Sequence, residues 1–530
     1  MSIKILYGPS GHGKTEYVYS DIVKEACANP DKKYVFIVPE QSSLQAQKRV
    51  VRMHPSHGVF NIDVLTFGRL CYRVFEELQI ELKETIDDTG KNLIVRKILN
   101  NIKSDFRIIK AGRRQGFVSE MKSMISELKQ YGITPDMLKE IAVSAGSDRL
   151  RDKLEDISLI YSEFENYIRD RFVTVEDKPE LLYRFIDNSD LLKGSTVVFD
   201  GFTGFTPVQY RLIEKIALQA ENIIVTVTIS SPAINNINTD MGMDELFYMS
   251  KDMIRKLGVI ADNVRIPFLM QRIESDHSKY RFRNSPALNF LEENIFRYNG
   301  STFGGNTEDI HISEHLNGKE EIQYAAAAIL KEVRTHGYRF NDIGVILGDK
   351  DNFANETARI FKESGIPFFM DNKRSLIGNP MVEYIRGIIA LIKERFSYEA
   401  VFRVLKNGLC GFERDKVNIF EDYILAFGIN GFDRYCEKFV RAYKSKEMGL
   451  DVINEVREDF CCLISEFYSD MTKGTKASDY VNAVYDFMEK ENLYEEMEML
   501  ADNTEDEDKA EEFRKSYGHV VTLLERIYDM

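Results

Sequence analysis

The sequence predicts an α/β protein with two parallel-sheet units, each interrupted by a helical insertion, the second unit not necessarily complete within these residues. Three observations lead there. Short β-branched runs alternate with segments of helical period, first from Ser2 and again from about Asp309. Residues 8–15 read GPSGHGKT, a full G-x-x-x-x-G-K-[ST] phosphate loop lying between such a run and a helix. Long stretches between and after the strand signals, 85–192 and 379–530, are almost wholly helical in period.

In chain order, SIKILYG is a strand that enters the loop, and TEYVYSDIVKEAC leaves it as a helix. KKYVFIVPEQ supplies a second strand and NIDVLTFGRL a third, followed by the amphipathic RLCYRVFEELQ, so residues 1–84 form the first part of unit one. Residues 85–192, with GFVSEMKSMISELKQYG and LRDKLEDISLIYSEFENYIRDRF, read as a helical insertion with hardly any strand signal. STVVFDGF and NIIVTVTI then return to the first sheet within 193–300. The second unit, 301–378, runs DIHISEHL, a helix, DIGVILG, a helix and IPFFMDN, with three expected strands. Residues 379–530 are a second helical insertion within which the chain ends, and the acid-dense 489–512 reads as a solvated helix and loop.

The chemistry begins at the loop Gly8, Pro9, Ser10, Gly11, His12, Gly13, Lys14 and Thr15, a candidate ATP site. Its glycines let successive N–H groups and a helix N-terminus face phosphate. Lys14 adds a point charge near the β and γ phosphates, and the Thr15 hydroxyl is a ligand for Mg²⁺. His12 occupies a variable position and receives no catalytic duty. A second carboxylate for the Mg²⁺ site is expected at a strand end, and Asp200 in STVVFDGF fits. The glutamate that polarises water in an efficient ATPase commonly follows this aspartate, but here Gly201 does, and the next acid is Glu214. Binding is therefore better supported than hydrolysis.

Composition sets the surroundings. A chain of 530 residues with 44% apolar content has material for roughly three or four domains. No apolar run approaches the roughly 18 residues of a bilayer span and no leader precedes the first strand, so the expectation is a cytoplasmic protein without a membrane partner. The six cysteines show no C-x-x-C pairing and read as reduced thiols rather than a metal site. A net charge of −15 argues against coating nucleic acid, though not against a local basic groove. The basic runs 103–114 (KSDFRIIKAGRR) and 279–283 (KYRFR) could touch a phosphate backbone, but a solvated face explains them more simply.

These pieces resemble the UvrD-like superfamily 1 helicases, and more closely the AddB (RexB) subunits of bacterial helicase-nucleases. VLTFGRLCYRVF is similar to the helicase stretch that touches single-stranded DNA, with Thr66 and Phe67 matching and Gly68 replacing its histidine. DGFTGFTPVQ matches the helicase pattern D-E-F-Q-D-T-N-x-x-Q at Asp200, Phe202 and Gln209, and its departures at Gly201, Thr203 and Gly204 are like those of AddB. FNDIGVILGDKDNF, SGIPFFMDNKRSLIGNPMVEYI and LKNGLCGFERDKVNIFEDYILAFGINGF extend the likeness to about residue 435. The resemblance implies two RecA-like domains, ATP with Mg²⁺, and an AddA-like helicase-nuclease partner in a heterodimer processing double-strand DNA ends for recombinational repair. It further implies a degenerate helicase surface that guides one strand, with Thr66, Phe67 and Gln209 as DNA-contact candidates, and reads a hotspot sequence. The family's C-terminal nuclease and its iron-sulfur cluster are not expected in these residues, which lack a cysteine quartet and a paired-carboxylate motif. Arg339, Arg359 and Arg374 lie in the second unit, yet none sits in an arginine-finger motif. Two other readings stand beside this one: a free-standing P-loop phosphotransferase or ATPase with a helical lid, and a truncated, non-catalytic scaffold.

Overall fold

The computed structural model describes residues 1–58, 60–102, 115–230, 233–234, 237, 242–273, 281–297, 299–370, 375–441 and 449–529. The chain divides into two compact units, Met1–Ile312 and Ser313–Met530.

In the first unit, β1 (Ser2–Gly8) runs into the phosphate loop and α1 (Lys14–Ala28), then β2 (Tyr34–Ile37), α2 (Ser43–Met53), β3 (Ile62–Leu65) and α3 (Phe67–Glu77) follow. The insertion contains β4 (Glu84–Ile86), α4 (Asp88–Asn101), α5 (Gln115–Gln130), α6 (Pro135–Val143), α7 (Asp148–Ile168), β5 (Phe172–Thr174) and α8 (Lys178–Phe185). The chain returns through β6 (Thr196–Phe199), α9 (Pro207–Gln219), β7 (Asn222–Thr228), α10 (Tyr248–Val264), β8 (Phe268–Arg272) and α11 (Pro286–Asn294). Six strands form one sheet in the order β3-β2-β6-β7-β1-β8, and every pairing is parallel.

The strand sequences explain that placement. All four residues of YVFI in β2 and of TVVF in β6 are buried, as central parallel strands covered on both faces require. Alternate residues serve opposite faces: Val35 and Ile37 join a core with Ile3, Ile5 and Phe199, while Tyr34 and Phe36 join another with Tyr19, Ile22 and Val198. Three strands go beyond the sequence reading. The insertion has its own two-stranded parallel sheet, β4 with β5, whose three-residue runs are too short to impose a period. The edge strand β8, FLMQR, pairs with β1 through its backbone while leaving Leu269 and Met270 exposed, so it shows no continuous apolar run.

The insertion is tied down by a buried ion pair. Lys91, 3% exposed at its side chain, lies 2.8 Å from both Glu176 and Asp88 and donates to Ser126 Oγ at 3.0 Å. Glu176 is itself only 8% exposed, so removing Lys91 leaves a carboxylate without its cation.

In the second unit α12 (Gly318–His336) and α13 (Lys350–Glu363) form as the sequence predicts, packing Ile322, Ala326 and Ile329 against Ile360 and Phe361. The three strands expected there differ: no strand is formed among the described residues of 301–378. DIGVILG and IPFFM lie alongside an apolar hollow of about 490 Å³ walled by Ile329 and Phe361, whereas Ile346 and Phe369 are 97% and 93% exposed. A central parallel strand needs a hydrogen-bonding neighbour and apolar cover on both faces, and these segments have cover on one side among the described residues. Helices then fill the unit from Pro380–Lys393 to Glu507–Asp529 around Tyr384, Phe396, Phe420 and Phe460. All six cysteines are free, and no helix among the described residues is long and apolar enough to cross a membrane.

Candidate functional site

The loop between β1 and α1 sits at the C-terminal end of a central strand, where open parallel sheets present their ligand crevice. Gly11 and Gly13 adopt φ of 79° and 78°, left-handed values that a side chain would strain. At Gly11 a Cβ would also come within 3.0 Å of Arg281 Cβ and 3.1 Å of the Phe282 ring. Lys14, 8% exposed, folds over the loop and donates from Nζ to the carbonyls of Gly8 (2.9 Å) and Pro9 (2.8 Å). Burial pushes its ammonium down to about 8, with Asp200 and Glu292 pulling the other way and Arg281 adding to the fall. The His12 ring turns back to the Ser10 carbonyl at 3.1 Å.

Asp200, immediately after β6, faces this loop. The Thr15 hydroxyl donates to Asp200 Oδ1 at 3.2 Å, and the Thr226 hydroxyl of β7 donates to the same oxygen at 2.6 Å. Thr15 and Asp200 are 185 residues apart in sequence, and they meet because β7 pairs with both β1, which leads into the loop, and β6, which leads into Asp200. A hydroxyl and a carboxylate oxygen side by side are the hard oxygen donors that suit Mg²⁺. Gly201 follows at φ 81°, with a hypothetical Cβ at an ordinary 3.6 Å from Pro39 Cδ, so backbone conformation rather than space disfavours a glutamate there. The whole forms a cleft of about 670 Å³ lined by Ser10, Gly11, Gly13, Lys14, Thr15, Asp200 and Gly201, within the range of small-molecule sites.

The sequence reading missed four participants. Thr226, inside the strand run NIIVTVTI, and Arg49, between the second and third strand runs, carry no motif that singles them out in the sequence. Arg281, in the run read as solvated, also lines the cleft and donates its backbone N–H to the Gly11 carbonyl at 3.2 Å. Glu292 of α11 accepts from the Ser10 N–H at 3.3 Å through Oε1, and its Oε2 is buried without a hydrogen-bond partner. Nothing in the local sequence announced that α11 would return to the loop.

The DNA-contact candidates have partners inside the chain. Thr66 caps α3 by accepting from the Arg69 N–H at 3.2 Å, and Phe67 is buried against Phe199, Phe202 and Phe205. Gln209 accepts from the Thr206 N–H at 2.9 Å in a capping box that starts α9. Arg339 pairs with Asp342, and Arg359 with Glu356 and Glu363 on its own helix. The basic run 103–114, Lys279, Tyr280 and Arg374 lie outside the described residues.

A doubly covered parallel sheet with a glycine-rich loop after one inner strand and an aspartate after another defines an α/β protein with helical insertions. Residues 5–292 match the family described as ADDB, N-terminal, and the chain belongs to that family. Over its whole length it is 36% identical to the B subunit of the ATP-dependent helicase/deoxyribonuclease of Lachnoclostridium phytofermentans and 33% identical to that of Clostridium kluyveri, covering 47% of each. The equivalent from Clostridium tetani is 32% identical, with 48% of it covered. The chain thus spans about half the length of the curated relatives it matches.

Proposed function

We propose that this chain is the nucleotide-binding portion of one partner in a two-subunit machine that processes double-strand DNA ends for recombinational repair in the cytoplasm. The names of its relatives, each the B subunit of an ATP-dependent helicase/deoxyribonuclease, support that setting and a partner of the AddA type. ATP binds with its phosphates in the loop Gly8–Thr15, held by backbone N–H groups and Lys14, and Mg²⁺ sits between Thr15 and Asp200. The single observation that carries this reading is the meeting of Thr15 and Asp200 at 3.2 Å beside Lys14. Hydrolysis is slow, because Gly201 stands where a water-polarising glutamate is needed. One DNA strand passes over the surface supported by Thr66, Phe67 and Gln209, which scans for a hotspot sequence, and strand cutting belongs to a nuclease outside these residues.

The test is a titration with fluorescent ATP analogue and Mg²⁺, on the chain and on Lys14→Ala. Loss of a charge-assisted phosphate contact is expected to weaken binding by at least roughly tenfold. Equal affinity in the two proteins refutes the assignment.

A further inference from the structure

We propose that Arg49 and Arg281, both carried by the first unit, hold the third phosphate of the nucleotide and make the site select a triphosphate over a diphosphate. This rests on the nucleotide-binding reading above. The two arginines, one on α2 and the other just ahead of α11, line one cleft together with Lys14, Thr15 and Asp200. Arg281 is fastened to the loop itself, its N–H on the Gly11 carbonyl at 3.2 Å and its Cβ against the Gly11 backbone. Arg49, on α2, lies over the Tyr19 ring at 5.4 Å from its centroid, and Tyr19 is one helical turn beyond Thr15 on α1. One arginine therefore flanks the early residues of the loop, and the other flanks the Thr15–Asp200 pair.

The chemistry follows from where the phosphates go. Lys14 and the N–H groups that open α1 would take one phosphate of the chain, and Thr15 and Asp200 would hold a Mg²⁺ ion that offsets the charge of the phosphates. The cleft that would take the third phosphate is lined by both arginines as well as by Asp200 and Gly201. A guanidinium presents a planar fork of donors that matches phosphate oxygens and stays charged at any physiological pH. Among the described residues no carboxylate is paired with either guanidinium, whereas Arg339 and Arg359 in the second unit are engaged with neighbouring acids. Arg281 also adds to the crowding of positive charge on buried Lys14, a repulsion that a polyphosphate relieves.

The experiment measures Kd for Mg-ATP and Mg-ADP with the full chain and with Arg49→Gln, Arg281→Gln, Arg281→Lys and Lys14→Ala, each checked by thermal melting. Each glutamine variant is expected to weaken ATP roughly tenfold and ADP less than about twofold, with Arg281→Lys recovering part of the ATP affinity. Equal losses for ATP and ADP, or no change for either, overturn the proposal. Lys14→Ala is expected to weaken both nucleotides; if it weakens neither, the nucleotide-binding reading fails instead.

Discussion

Nucleotide affinity should depend on pH through Lys14. Its ammonium is buried and, in the free protein, lowered from 10.5 to about 8, whereas a bound polyphosphate places negative oxygens against it and keeps it protonated. Binding then takes up a proton above pH 8, and affinity falls up to tenfold for each further unit. Between pH 7 and 9.5 the expected weakening is about 30-fold, or about 2 kcal/mol, while the nucleotide's own phosphates stay ionised. Stability of the unliganded fold moves in the opposite sense. Between about 8 and 10.5 the unfolded chain holds the Lys14 proton and the folded one does not, so this residue's contribution to stability rises with pH across that window. Calorimetric titration at several pH values, in two buffers of different ionisation enthalpy, reads both the affinity and the proton uptake. An affinity that stays flat from pH 7 to 9.5, or a slope that survives in Lys14→Met, refutes the reasoning.

Other perturbations test the fold around the site. Lys91→Met strands the buried Glu176 carboxylate and should cost about 3–5 kcal/mol in urea denaturation, most of it recovered by adding Glu176→Gln. Phe67→Ala opens a cavity among Phe199, Phe202 and Phe205, with an expected loss of about 3–5 kcal/mol in the same assay. Gly201→Glu restores the missing acid in sequence, but the left-handed backbone at φ 81° should cost about 1–2 kcal/mol, and steady-state phosphate release should not rise.

The phosphate loop was legible because all its parts are contiguous: the glycines, Lys14 and Thr15 fall within eight residues. Asp200 was legible because it ends a continuous apolar run, the mark of a central parallel strand. Thr226, Arg49, Arg281 and Glu292 were not, since each reaches the cleft through tertiary return of an element whose local pattern is ordinary. The strands expected at DIGVILG and IPFFMDN show the converse limit. Their residue pattern is as strand-like as that of β2, but β2 has β3 and β6 on its two edges, and pairing is a property of the neighbours as much as of the segment.

The position of β1 in the sheet also dictates an order of events. It is the first strand synthesised, yet its two neighbours are β7, whose Asn222 side chain accepts from Ser2 across a separation of 220 residues, and β8, which ends at Arg272. Closing loops of that length precedes any reward from pairing, so the β7-β1-β8 side of the sheet forms late and slowly. Until Arg272 has been made, Ile3 and Ile5 have an open edge to present to other chains. Fragments cut short of that residue should aggregate, and the phosphate loop, written within the first fifteen residues, should be among the last parts of its sheet to acquire a shape.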